Sequence, residues 1–224
     1  AASLQSSRRH FLRRCVAKAL HTFVVYCFFR TVAEATDCFL LFFAQGCGPR
    51  LLSPKSLDGV SGAYLLVRGL IESCEEGDIG VAVNLLRGLS KLALGDDDEH
   101  LDEAASALVE AGAVPALSQV LDVAKVVMDE ESLTLGLEAL TALAMSEPGG
   151  EAIAADFTLL GRVASALEST SGEARREAMG CLACCSHREI GARSLVASGA
   201  VGAACEAVGL YPFEGPMVDE ALVL

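Results

Sequence analysis

Three cysteines in the second half of the chain have a spacing that could serve metal binding or redox chemistry. The sequence Cys181-Leu-Ala-Cys184-Cys185 contains a Cys-x-x-Cys pair, and His187 follows two residues later. A redox motif of this kind needs a strand-to-helix turn, and a zinc site needs a second Cys or His pair at a matching spacing. The trio instead lies in a predicted helix, at positions where related segments have Ala and Leu. We therefore predict that the three cysteines are buried, reduced and free of metal, as small apolar side chains.

No other group of residues has the spacing of a catalytic or cofactor site. The four histidines fit no metal or nucleophile pattern, and the chain has no Gly-rich phosphate loop and no Gly-x-Ser-x-Gly elbow. The acidic run Asp96–Glu99 lacks the alternating ligands and the turn glycine of a calcium loop, so we interpret it as a solvated loop before a helix N-terminus. The sequence predicts no enzyme, no cofactor and no metal site.

The elements that position these side chains recur along the chain. Gly112, Asp156 and Gly199 occupy equivalent places in three similar segments, at steps of 44 and 43 residues. An earlier segment fits the same frame with Gly62, at a step of 50 residues, and its surplus falls at the acidic run 95–100. A constant period of this length is typical of a helical repeat array, in which each unit buries its apolar face against its neighbours.

The periodicity of apolar residues predicts helix almost throughout, without strands. Each unit has one helix after the Gly-Ala step and another after a polar break. Polar breaks are predicted at 76–78, 147–150 and 169–173. The apolar traces of the later helices are Val81, Leu85, Leu89 and Leu92; then Leu133, Leu137, Leu140 and Leu143; then Ala174, Ala178, Leu182 and Cys185. Apolar residues make up 52% of the chain and aromatic residues only 5%, so we expect a close-packed core of Ala, Leu and Val.

One unit carries a specific resemblance. Its Gly-Ala segment 111–121, followed by a polar turn and Leu-Glu-Ala-Leu-Thr-Ala-Leu-Ala at 137–144, resembles an armadillo repeat, with a short first helix, a Gly-initiated second helix and a longer third helix. The resemblance covers about residues 60–210. It implies an all-α fold, an armadillo-like right-handed α-solenoid of about four repeats over 60–224, the last one truncated. HEAT repeats are the nearest alternative, and the Gly-Ala bend favours armadillo. Asp156-Phe157 replaces Gly-Ala in one unit, which predicts a less tight bend there.

The resemblance also implies a binding groove along the third helices. Armadillo proteins that bind nuclear-localisation peptides resemble one another in presenting a Trp, and an Asn four residues later, from each third helix. The matching positions here carry neither residue, which disfavours a transport-receptor role, but they remain the candidate groove residues: Arg87 and Lys91, Glu138 and Ala142, Gly180 and Cys184. Glu138 is predicted to contact a basic residue of the ligand. Arg87 and Lys91 are predicted to contact an acidic segment that flanks it.

Charge is divided unevenly along the chain. Residues 1–50 carry a balance of +5, and the remaining residues carry −18. An anionic surface repels nucleic acid and acidic lipid head groups, so we expect protein or peptide partners with basic segments, and no nucleic acid. Free cysteines scattered through helices favour a reducing, intracellular compartment, with the cytoplasm preferred.

The first fifty residues differ in character from the repeats. Residues 1–21 hold five Lys or Arg and no acid, a composition that leaves a mitochondrial or plastid location open. The apolar stretch that follows is interrupted by Arg30, Glu34 and Asp37, so a stable membrane span is not expected, whereas residues 20–45 could contact a membrane surface. We predict an N-terminal helical appendage over 1–50 and a linker over 51–59.

Two classes of function fit these features. The first is a non-enzymatic interaction scaffold that binds an extended peptide or a partner helix along a concave groove, since solenoids create long binding surfaces. The alternative is a structural subunit of a larger assembly, organellar or otherwise, that docks through its aromatic-rich N-terminal segment. A scaffold should be soluble and monomeric alone, whereas such a subunit should aggregate when isolated.

Overall fold

The computed structural model describes residues 62–94, 98–127, 129–169, 171–212, 215–221 and 224, and throughout these residues every regular element is an α-helix. The predicted appendage over 1–50 and linker over 51–59 lie outside them. The helices are α1 Gly62–Glu76, α2 Ile79–Leu94, α3 Asp98–Glu110, α4 Ala113–Val127, α5 Glu130–Ala144, α6 Glu147–Ala155, α7 Phe157–Ala166, α8 Gly172–Ser186, α9 Glu189–Ala197, α10 Ala200–Leu210 and α11 Gly215–Ala221.

The helices group into units as the period predicts. Gly112, Asp156 and Gly199 each stand directly before the second helix of a unit, namely α4, α7 and α10. The second and third units have three helices each, α3–α5 and α6–α8. Of the first unit the structure describes the second and third helices, α1 and α2. The fourth unit consists of α9–α11. The all-α solenoid is therefore confirmed.

A left-handed glycine makes two of the bends between first and second helices. Gly112 has φ 89° and Gly199 has φ 78°, values that side chains with a Cβ rarely adopt. The bend at Gly112 turns the chain by 71°. Asp156 makes the corresponding bend of the third unit with φ −98°, and its carboxylate accepts a hydrogen bond of 2.9 Å from the Leu159 amide. A side-chain N-cap thus replaces the left-handed glycine.

The predicted break at 147–150 is wrong, because these residues form the first turn of α6. Ser146 caps the helix, its Oγ accepting a hydrogen bond of 3.1 Å from the Gly149 amide. Pro148 is compatible with the first turn, where a backbone amide needs no intrahelical partner. The Pro-Gly-Gly sequence therefore starts a helix rather than ending one, whereas the break at 76–78 is confirmed by the turn at Gly77.

Two glycines of the first helices allow the backbones of successive helices to come together. A Cβ built on Gly149 would overlap the Leu143 carbonyl at the end of α5, and a Cβ on Gly191 would overlap the Cys185 carbonyl near the end of α8. The two glycines are 42 residues apart, as are the two carbonyls. The same close crossing of a third helix and the following first helix is thus made in two successive units.

An arginine at the junction of the third and fourth units reaches back to the crossing between the second and third units. Arg188 donates from Nη2 to the Ser146 carbonyl at 2.7 Å and from Nη1 to the Ala144 carbonyl at 3.3 Å. Its guanidinium occupies the space that a Cβ on Gly150 would need. The cation thereby lies at the negative end of the α5 dipole, where it donates to the last carbonyl of α5 and adds a second donor to the Ser146 carbonyl, which already accepts the Gly150 amide at 3.0 Å.

The third helices stack into one layer, with α5 packed between α2 and α8. Their predicted apolar traces are largely confirmed: Leu137, Leu140 and Leu143 of α5 are fully buried, and only Val81 and Leu133 stay partly exposed. The second helices form a neighbouring layer, in which Arg162 of α7 pairs with Asp122 of α4 at 2.6 Å.

Candidate functional site

The candidate groove residues occupy equivalent positions of adjacent third helices. Arg87, Glu138 and Gly180 are the ninth residues of α2, α5 and α8. Lys91, Ala142 and Cys184 are the thirteenth residues of the same helices. The register that the resemblance implied is therefore reproduced by the helix boundaries.

Their accessibility differs along the row. Arg87 and Lys91 are exposed, and Glu138 and Cys184 are half-buried. Ala142 is only 2% exposed and Gly180 is buried, since a Cβ on Gly180 would already touch the Thr141 side chain. Neither Ala142 nor Gly180 can offer a side chain to a ligand, so α5 and α8 must contribute other residues.

Polar contacts join α2 to α5 across this surface. Arg87 Nη2 lies 2.7 Å from Glu131 Oε1, and the Ser90 hydroxyl donates to Glu138 Oε1 at 3.0 Å. The ion pair is half-exposed on both sides and contributes about 0.2–1 kcal/mol at most. Arg87, predicted with Lys91 to meet an acidic flank of a ligand, is paired in this structure with Glu131 of the next unit.

A second set of polar contacts joins α5 to α8. The Thr141 hydroxyl lies 3.0 Å from both the Leu137 carbonyl of its own helix and the Glu177 carbonyl of α8. Arg176 pairs with Glu177 at 2.7 Å, and this hydrogen bond raises the pKa of the arginine, with smaller contributions from Glu173 and Glu138. Glu138 therefore accepts a hydrogen bond from Ser90 and also lies within electrostatic range of Arg176.

We call the surface formed by the accessible third-helix residues the third-helix face: Asn84, Arg87, Lys91, Glu131, Thr134, Glu138, Arg176, Glu177 and Cys184. Of its charged residues, α2 contributes two cations, α5 two carboxylates, and α8 one residue of each sign. Sequence reasoning missed Glu131 and Arg176. Both are one or two turns from the matched positions on the same helix side, so a helical count from Glu138 and Gly180 would have found them.

The cysteine trio is placed largely as predicted. Cys181 and Cys185 are fully buried, and Cys184 is half-buried. A hydrogen bond with Cys185 and burial raise the pKa of Cys181 well above its usual value, which keeps that thiol protonated at neutral pH. Among the described residues no three His, Cys, Asp or Glu side chains are arranged to hold a metal ion.

Thiol accessibility gives a direct prediction. Cys205 of α10 is exposed, so iodoacetamide should label it at least about 100-fold faster than Cys181 or Cys185 in the native protein, because alkylation needs an accessible thiolate. Peptide mapping by mass spectrometry after timed labelling measures each rate. Equal rates at Cys205 and Cys181 would contradict the packing of α8, and denatured protein provides the reference for full reactivity.

Within the residues that the structure describes, no single helix is long and apolar enough to cross a membrane. The segments Leu101–Glu110 and Ala113–Val127 have the necessary length and hydropathy only when taken together, and this pair is bent by 71°.

Comparison with known proteins shows the fold. No family model matches the sequence, and no curated protein is significantly similar to it. A designed armadillo repeat protein in complex with the peptide (KR)4 has a TM-score of 0.60 and 17% identity, over 84% of this chain and 66% of its own. An engineered protein has a TM-score of 0.61 and 21% identity, over 86% and 68%.

A third similar structure is that of computationally designed armadillo repeat proteins for modular peptide recognition, with a TM-score of 0.59 and 21% identity, over 72% of this chain and 62% of that one. The chain thus spans roughly two thirds of the length of these proteins. Periodicity, left-handed glycine bends and stacked third helices agree with this likeness: the chain has an armadillo-like repeat fold.

Proposed function

We propose that the chain is a non-enzymatic protein-binding scaffold whose third-helix face binds an extended peptide carrying basic residues. The observation that carries the proposal is the row of carboxylates on α5, where half-buried Glu138 and exposed Glu131 lie in the middle of three stacked third helices. The similar designed protein that is bound to a (KR)4 peptide supports a ligand of this class.

The polar contacts of the face are compatible with such binding. The Ser90 hydroxyl holds Glu138 in place, so its carboxylate loses little conformational entropy on binding. The balance of −18 over residues 51–224 should speed the approach of a cationic peptide. Lys91, exposed on α2, would repel a basic residue at that end and favour an acidic one.

The test measures binding of a fluorescent (KR)4 peptide to the full chain by anisotropy. Glu138→Lys should weaken binding about tenfold or more, and Glu138→Gln, which keeps a hydrogen-bond acceptor for Ser90, should weaken it about threefold. Higher salt should weaken wild-type binding, since screening acts over about 8 Å at physiological ionic strength.

The matched control is Glu110→Lys, which makes the same charge change at an exposed residue at the end of α3. This variant should bind within twofold of the wild type. Equal losses of affinity in Glu110→Lys and Glu138→Lys would mean that only net charge matters. If the wild type shows no saturable binding of the peptide, the proposal is refuted.

The alternative of an assembly subunit depends on residues 1–50, which lie outside the described residues. It stays a prediction, as do the reducing compartment and the open mitochondrial or plastid location. Sedimentation of the isolated full chain separates the two: a monomer supports the scaffold, and large aggregates support the subunit.

A further inference from the structure

The turns between second and third helices of the first two units lie side by side at one edge of the solenoid. α1 packs on α4 and α2 on α5, so the turn at Gly77-Asp78 adjoins the turn before α5. Four carboxylate residues are exposed there, and we call this surface the acidic edge: Glu75, Glu76, Asp78 and Glu130. Exposed apolar side chains occur at the same turns: Ile79, Val126 and Val127. Of these, Val126 is 81% exposed.

A small cleft opens between the two turns. It has a volume of about 20 Å³, enough for one small group, and its lining includes Cys74, Gly77 and Ile79 from the first unit and Val127 and Ser132 from the second. Ser132 is only 5% exposed, yet its Oγ has no hydrogen-bond partner within the part of the chain that the structure describes. This oxygen is closed off from the cleft, whose accessible surface is apolar, so the cleft is suited to an apolar side chain of a ligand.

We propose that the acidic edge docks the basic segment Arg8–Arg14 of this same chain. That segment, Arg-Arg-His-Phe-Leu-Arg-Arg, places two pairs of arginines around Phe11 and Leu12. Its pattern is complementary to the edge, where exposed carboxylates occur at the same two turns as exposed Ile79 and Val127. The apolar residues of the segment would contact the apolar cleft between the two turns.

The chain is long enough to make this contact. The turn at Gly77 lies at the far end of α1 from Gly62, and the 15 residues of α1 span about 22 Å at 1.5 Å per residue. Residues 15–61 connect the basic segment to α1, and even the last 11 of these residues can extend over about 36 Å. A covalent connection gives an effective concentration of up to about a millimolar, so a weak contact is sufficient.

The test follows tryptic cleavage after Arg8, Arg9, Arg13 and Arg14 in the full chain at low salt, with mass spectrometry to identify the sites. Docking should protect them. The double variant Glu75→Lys/Glu76→Lys should be cleaved there at least about tenfold faster than the wild type, because reversed charges repel the arginines. Salt at 0.5 M should bring the wild type to the same rate as the variant.

The control variant Glu110→Lys/Glu206→Lys reverses two exposed charges of α3 and α10, away from this edge, and should be cleaved like the wild type. Circular dichroism verifies that both variants fold. Equal cleavage of the wild type and Glu75→Lys/Glu76→Lys would overturn the proposal and leave the edge to a basic segment of another protein. Protection that disappears on dilution would also overturn it, since it would come from a second copy. The result is independent of peptide binding at the third-helix face.

Discussion

Replacing Gly191 with alanine should destabilise the chain by about 3 kcal/mol, because the added Cβ would overlap the Cys185 carbonyl and neither backbone can move without opening the contact between α8 and α9. In a protein of this size the melting temperature should fall by roughly 6–12 °C. Urea denaturation followed by circular dichroism at 222 nm measures the change.

The matched control is Gly161→Ala in α7. No heavy atom lies within 4 Å of the Cβ that this substitution would add, so the helix should simply gain from the better propensity of alanine, by about 0.5–1 kcal/mol. The two substitutions are chemically identical and should have opposite signs. If both variants gain stability, the close crossing of third and first helices is not present in solution.

Removing the Arg188 guanidinium should cost nearly as much. Arg188→Met keeps most of the apolar stem but removes the donor to the Ala144 carbonyl and one of the two donors to the Ser146 carbonyl, for a loss of about 2 kcal/mol. Arg193→Met provides the comparison, since it breaks only an exposed pair with Glu189 one turn away on α9 and should cost less than about 0.5 kcal/mol. Chemical denaturation of the three proteins gives the two differences, and equal values would contradict the role of Arg188.

A double-mutant cycle separates this contact from general damage. Gly150→Ala should strongly destabilise the wild type, because the new Cβ takes the place of the guanidinium. The same substitution should destabilise the Arg188→Met variant much less. The expected coupling is about 1–2 kcal/mol. Additive effects would show that the guanidinium does not occupy this space.

Features that repeat within the chain could be predicted from the sequence. The steps of 44 and 43 residues identified Gly112, Asp156 and Gly199 as the points where second helices begin, and the 3.6-residue apolar pattern identified the buried side of α5. Both depend only on local geometry, which one unit carries in its own residues.

Features that depend on a neighbouring unit could not be predicted. The Pro-Gly-Gly sequence at 148–150 looks like a helix stop. The structure shows that these glycines are needed because the Leu143 carbonyl and Arg188 occupy the space that their side chains would take. The matched groove positions likewise predicted which residues are equivalent on successive third helices. They did not predict that Ala142 and Gly180 are buried. Whether a side chain on a third helix is accessible depends on the adjacent helix, which one helix's sequence does not reveal.

The side-chain hydrogen bonds between different units within the described residues join positions 36 to 48 apart in sequence. Each described unit is thus held by its immediate neighbours. A force applied at the ends would meet a series of separate interfaces, and the chain would lengthen in steps of about one unit, with the boundary held by Arg188 among the last to open.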